Sequence, residues 1–284
     1  WSGMTAYFTA PSRSNETFAS TSALGLQSGY NSLTNPTLLP ASGSLLLSGA
    51  SFSNSRLSTD PFWTPTTFRG AFGTQDWTAG WANFNPNGTN YSVPTVVQIT
   101  ADITTSTTWT KDNIYVLNGY RYIKDGATLT IEPGTIIKGD KASKATLIVS
   151  KTGKIFANGT ATEPIVFTSN QPLGQRTYGD WGGIVMLGNA TVNIAGGSGL
   201  IEGGLLGADA TYGGTNDDDS SGVMRYVRIE FPGIAYQPNN EINGLTMGGV
   251  GRKTVMENIQ VSYSGDDCFE WFGGTVNGRN LIAI

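Results

Sequence analysis

Apolar and polar residues alternate through the middle of the chain. Ala127, Leu129 and Ile131 are separated by threonines, and the pattern resumes at Ile136 beyond a Pro133-Gly134 turn. Alternation of this kind gives a strand one buried face. The triplet Ala127-Thr128-Leu129 returns as Ala145-Thr146-Leu147. Leu129, Leu147 and Ile165 are evenly spaced, and Ile131, Val149 and Phe167 keep the same step. Val227 and Ile229 are followed, again at that step, by Leu245 and Met247, so the period survives an insertion. Helical spacing is nowhere sustained. The pattern predicts short strands stacked rung upon rung, with Leu129, Leu147 and Ile165 in one inward column and Ile131, Val149 and Phe167 in another.

A constant short step punctuated by Pro-Gly, Thr-Gly and Asn-Gly predicts an all-β fold, a right-handed parallel β-helix (β-solenoid). A propeller blade needs roughly twice this period, and a sandwich would not repeat one apolar triplet at a fixed step. The front of the chain differs. Residues Ser12 to Ser58 are rich in Ser, Thr, Asn and Leu and predict loops and short strands. Phe62 to Tyr91 is dense in aromatics, with Trp63, Trp77 and Trp81 among them. Apolar rungs at the end of a coil must be covered, so residues 1–95 are predicted as an irregular, aromatic-rich capping segment and 96–284 as the coil. The chain begins at Trp1 without Met and stops within the apolar run Leu281 to Ile284, as a segment of something longer would.

Composition sharpens this. Of 284 residues 38 are Gly, only 13% are charged and 11% are aromatic, a balance that suits a folded β protein and not a disordered chain. The net charge of −4 excludes a phosphate-binding surface, so no nucleic-acid partner is expected. Histidine is absent, which removes the Ser-His-Asp triad and the commonest zinc ligand together. Cys268 is the single cysteine and cannot form an intramolecular disulfide. No apolar run approaches the length of a membrane span.

From Val96 onward the runs WTKDNIYVLNGYRYIKDGATLTIEPGTIIKGDKASKATLIV, RTYGDWGGIVMLGNATVN and GDDCFEWFGGTVNGRNLIAI resemble exported β-helix surface proteins of Bacteroidota, a family labelled only hypothetical or lipoprotein. The stretches FTAPSRSN, LLPASGSLLLSGASFSN and TTFRGAFGTQDWTAGWANFNPNGTNY, between Tyr7 and Tyr91, are similar to the segment that closes such a coil, here displaced to the front. The resemblance implies an extracellular or cell-surface location and a structural role in a fibre, filament or adhesive array. Copies would associate head to tail through Trp63, Trp77 and Trp81 at one end and Leu281 and Ile284 at the other.

The alternative is a polysaccharide-active enzyme or a carbohydrate-binding coil. Gly265-Asp266-Asp267-Cys268 resembles the GDDC motif of polygalacturonase-type glycosidases, which implies acid and base roles for Asp266 and Asp267 with Glu270 beside them. Inverting hydrolysis needs carboxylates about 6.5–9.5 Å apart. Trp271 and Phe272 would then be sugar platforms. Against this, the motif's partner histidine has no counterpart, and the run one rung earlier, Gly244 to Val250, holds no carboxylate. The competing expectation is that Asp266 and Asp267 only make a turn. Asp217, Asp218 and Asp219 form the densest acidic run. Calcium is the ion such an oxygen-rich loop would take, against a primary expectation of no cofactor and a solvated loop.

Overall fold

Short β-branched runs set between Gly and Pro turns build the coil. The computed structural model of the chain describes residues 8, 10, 17–93, 95–237 and 240–284. Two compact units divide between Trp77 and Thr78. In the first, single helical turns at Thr21–Leu24, Leu45–Leu47 and Ser55–Ser58 alternate with loops, and an isolated antiparallel bridge joins Leu26 to Pro40. Ser44 and Asn54 cap two of these turns by accepting the Leu46 and Arg56 amides. Trp77 stacks on Phe72 at 5.3 Å. Apart from Phe8 and Ala10, the FTAPSRSN run lies outside the described residues.

The second unit is a parallel coil, as the alternation predicts, and it has three sides. Face 1 stacks β1 (Thr95–Ile99), β3 (Asn113–Leu117), β6 (Ile136–Gly139) and β9 (Ile165–Ser169). Face 2 stacks β4 (Tyr120–Ile123), β7 (Thr146–Val149), β10 (Gly183–Leu187), β16 (Leu245–Gly248) and β18 (Phe269–Phe272). Face 3 stacks β2 (Thr107–Trp109), β5 (Thr128–Ile131) and β8 (Lys154–Asn158). The longer strands β13 (Gly222–Glu230), β17 (Val255–Ser262) and β19 (Gly278–Ala283) run along face 3 and turn onto face 1. Each bends at one residue of positive φ, namely Tyr226, Asn258 and Asn280. Asparagine tolerates that conformation better than most residues.

This geometry corrects the predicted columns. Leu129 lies on face 3, Leu147 on face 2 and Ile165 on face 1, and Ile131, Val149 and Phe167 are divided in the same way. All six are buried, but the step that separates them carries the chain two sides round the coil and not a full turn. True neighbours follow the register, as in Ile114, Ile136 and Val166, at longer and unequal steps. The inward columns are Trp109, Ile131, Ala157, Met224 and Met256 on face 3 and Tyr115, Ile137, Phe167, Ile229 and Val261 on face 1. On face 2 the column is Ile123, Val149, Met186 and Met247.

Two faces are covered from outside. The excursion between β10 and β13, with its antiparallel pair β11 (Gly199–Leu200) and β12 (Thr211–Tyr212), lays Val192, Ile201, Leu205 and Tyr212 over Ile148, Val185 and Leu187 of face 2. A smaller pair, β14 (Ala235–Gln237) and β15 (Asn240–Glu241), precedes β16. Face 1 is crossed by Thr78 to Val93. Asn83 exchanges two hydrogen bonds with Gln260 at 2.8 and 2.7 Å. Arg176 donates to the Pro86 and Thr89 carbonyls at 3.0 Å. Trp81, expected at an assembly surface, is instead 1% exposed and packs edge-on against Tyr226 of its own coil. Among the described residues no helix is long and apolar enough to cross a membrane.

Candidate functional site

The turn before β18 carries the motif with the sharpest chemical expectation. The Asp266 Oδ1 atom accepts the Asp267 amide at 2.9 Å, and the Asp267 carbonyl accepts from the Ser264 hydroxyl and the Gly244 amide. Both aspartates are exposed. The pair thus makes the turn that joins Gly265 to β18 and fixes it to the preceding rung. Register places Thr246 beside Glu270, so the rung before offers no carboxylate there.

Glu270 has a partner that no motif foreshadows. Asn243 donates from Nδ2 to Glu202 Oε1 at 3.2 Å and also to Glu270 Oε2. Glu202 comes from the excursion over face 2, so the Asn243 amide sets a carboxyl oxygen of each glutamate beside it. Burial first, and then the Glu202 charge, push the Glu270 carboxyl up to about 7, with Asp267 and Asp266 adding to the rise. The same cluster raises the Tyr212 phenol, chiefly by burial and then by the charges of Glu202 and Glu270.

The expected sugar platforms are not brought together. Successive strand residues point to opposite sides. Trp271 aligns in register with Met186 and Met247 but is 43% exposed, and it stacks on Phe269 at 6.2 Å, while Glu270 points to the opposite side. Phe272 shares the outer side with Glu270 but packs against Tyr212 at 5.9 Å. Leu281 packs on the core beside Ile259, and Ile284 is exposed with its backbone bonded to Val261 and Tyr263. Trp63 is exposed and lies edge-on to Phe62.

The acidic run ties loops together. Asp217 accepts the Thr191 amide at 2.9 Å, Asp219 accepts the Asn189 amide at 2.8 Å, and Arg252 meets Asp217 and Asp218 at 3.3 Å. The Thr191 amide holds the Asp217 carboxyl below its ordinary range. Among the described residues no group of three or more Asp, Glu, Cys or His side chains is arranged to hold a metal ion.

One lateral cavity, of about 410 Å³, was not foreshadowed by any motif. It is lined by Tyr120, Arg121, Ser143, Lys144 and Tyr236. The two tyrosine rings lie 6.4 Å apart, and the Lys144 ammonium stands 5.3 Å from the Tyr236 ring. The residues come from β4, from the turn before β7 and from β14, and only the three-sided winding makes them neighbours.

A family model described as a pectate-lyase-like β-helix domain matches residues 101–284. The chain belongs to that family. The match coincides with the coil seen here and leaves its chemistry open. No curated protein and no solved structure matches the chain.

Proposed function

We propose that this pectate-lyase-like β-helix chain is a structural module of an exported surface protein from a Bacteroidota-like bacterium, built into a fibre or adhesive array, and is not an enzyme. The observation that carries this reading is the placement of the motif's carboxyls. Asp266 serves its own turn, and Glu270 shares the Asn243 amide with Glu202. Both carboxyls are thus taken up in bonds within the coil and its covering, and the rung before places Thr246, not a second carboxylate, beside Glu270. Extracellular placement rests on the family resemblance together with low charge and scarce cysteine. Head-to-tail association of copies belongs to the same proposal. Its front contact is assigned to the first unit, because Thr78 to Val93 already covers its own coil.

Incubation with polygalacturonate and related uronate polymers tests the reading. No new reducing ends and no unsaturated product are expected, and Asp266→Asn and Asp267→Asn leave that result unchanged. Depolymerisation that disappears in either variant would install the enzyme instead. Sedimentation and electron microscopy test the association, which a compact monomer at high concentration would remove.

A second reading, carbohydrate binding, is favoured by the cavity between Tyr120 and Tyr236. Aromatic faces beside charged donors suit a sugar ring. Binding on a glycan array that Tyr236→Ala abolishes would establish it.

A further inference from the structure

The excursion between β10 and β13 is held to face 2 by two kinds of contact. Apolar side chains form a second core, with Ile201, Leu205 and Tyr212 on Ile148, Val185 and Leu187. Polar ties surround it. Lys124 pairs with Asp209 at 3.2 Å, Lys151 donates to the Gly213 carbonyl at 2.9 Å, and the Tyr120 hydroxyl donates to the Gly203 carbonyl at 2.6 Å. The Lys124 ammonium and the Tyr120 hydroxyl both titrate above their ordinary values, so neither gives up its proton between pH 5 and 8. The tie at Glu202 is different, because it sets one carboxyl beside another around the Asn243 amide.

The shared Asn243 amide holds the Glu202 and Glu270 carboxyls side by side, where two ionised carboxylates, acceptors only, repel each other and a proton on one of them removes that repulsion. Asn243 bridges both but brings no charge. The other groups facing the pair are Tyr212 from the excursion and Asp266 and Asp267 from the turn before β18. None of these is a cation. We propose that Glu202, Glu270 and Asn243 form a proton-operated latch, fastening the middle of the excursion to face 2 while the pair holds a proton and releasing it when both carboxyls are ionised.

The direction follows from linkage. Glu270 titrates at about 7 in the folded chain against an ordinary 4.5. A carboxyl raised on folding contributes fully below its ordinary value, and the contribution is lost as pH rises through the folded one. The latch is therefore tight near pH 4.5 and open above pH 7. Release uncovers the apolar strip Ile148, Val185 and Leu187, which is otherwise buried.

Amide hydrogen exchange on the full chain, corrected for intrinsic exchange at each pH, tests this. Peptides spanning Ile201 to Leu205 are expected to show protection roughly tenfold lower at pH 8 than at pH 5, while β7 keeps its protection. Glu202→Gln and Glu270→Gln each replace the shared proton with an amide donor, so protection of the excursion becomes equal at the two pH values. Equal protection in the wild-type chain would overturn the latch. So would wild-type pH dependence persisting in either variant.

Discussion

Glu230 places a carboxyl group where no solvent reaches it. One oxygen accepts the Tyr91 hydroxyl at 2.7 Å, Arg228 lies 3.9 Å away, and Oε2 has no hydrogen-bond partner. Burial raises its titration above the ordinary carboxylate value, with Arg228 opposing. Stability from such a group is complete below its ordinary value and is lost as pH climbs through the raised one. Glu230→Gln is therefore expected to melt higher than wild type at pH 8, with the difference shrinking toward pH 4. Thermal melts of both proteins across that range check it, and parallel curves would refute it. Leu147 is a simpler residue-scale case, fully buried in β7. Leu147→Ala should cost about 2–5 kcal/mol in denaturant unfolding, the usual cost of a core cavity. Leu147→Asp should not fold, because it buries an unpaired carboxylate between rungs.

At the scale of elements, the entry into β13 depends on a close backbone approach. Gly222 has φ +117°, and a Cβ there would stand 1.9 Å from the Ile155 carbonyl oxygen in β8. Neither a rotamer change nor a flexible neighbour relieves a clash with backbone. Gly222→Ala is expected to lower soluble yield sharply and to destabilise what folds by more than about 2 kcal/mol. Gly126, also at positive φ, has open space where a Cβ would stand, so Gly126→Ala should cost only its backbone strain, about 1 kcal/mol. Comparable losses in the two variants would contradict the close approach at β8.

For the whole molecule, the coil with its side covering has its own core, while Trp1 to Trp77 forms a separate compact unit. A chain starting at Thr78 is expected to keep the β circular dichroism signature and cooperative melting. A chain starting at Pro94 loses Trp81, Asn83 and Tyr91, which exposes Gln260 and Glu230 and leaves their polar atoms without those protein partners. Its melting temperature should fall well below that of the longer truncation. Equal melting would show that the strip from Thr78 to Val93 contributes nothing to the coil.

Alternation of apolar side chains was local information, and it determined the strands, their inward residues and the parallel coil, because period-2 burial needs only near neighbours in sequence. Low charge, absent histidine and the turn chemistry of Asp266 and Asp267 were likewise legible. The number of sides was not. The even spacing of Leu129, Leu147 and Ile165 fits one column and three faces equally well, and only register between rungs distinguishes them. The covering of face 1 by Thr78 to Val93, the meeting of Glu202 with Glu270, and the cavity between Tyr120 and Tyr236 depend on residues far apart in the chain. No local pattern encodes such pairs, because the winding of the coil and the path of its excursion decide which side chains share an environment, and with it their burial and charge.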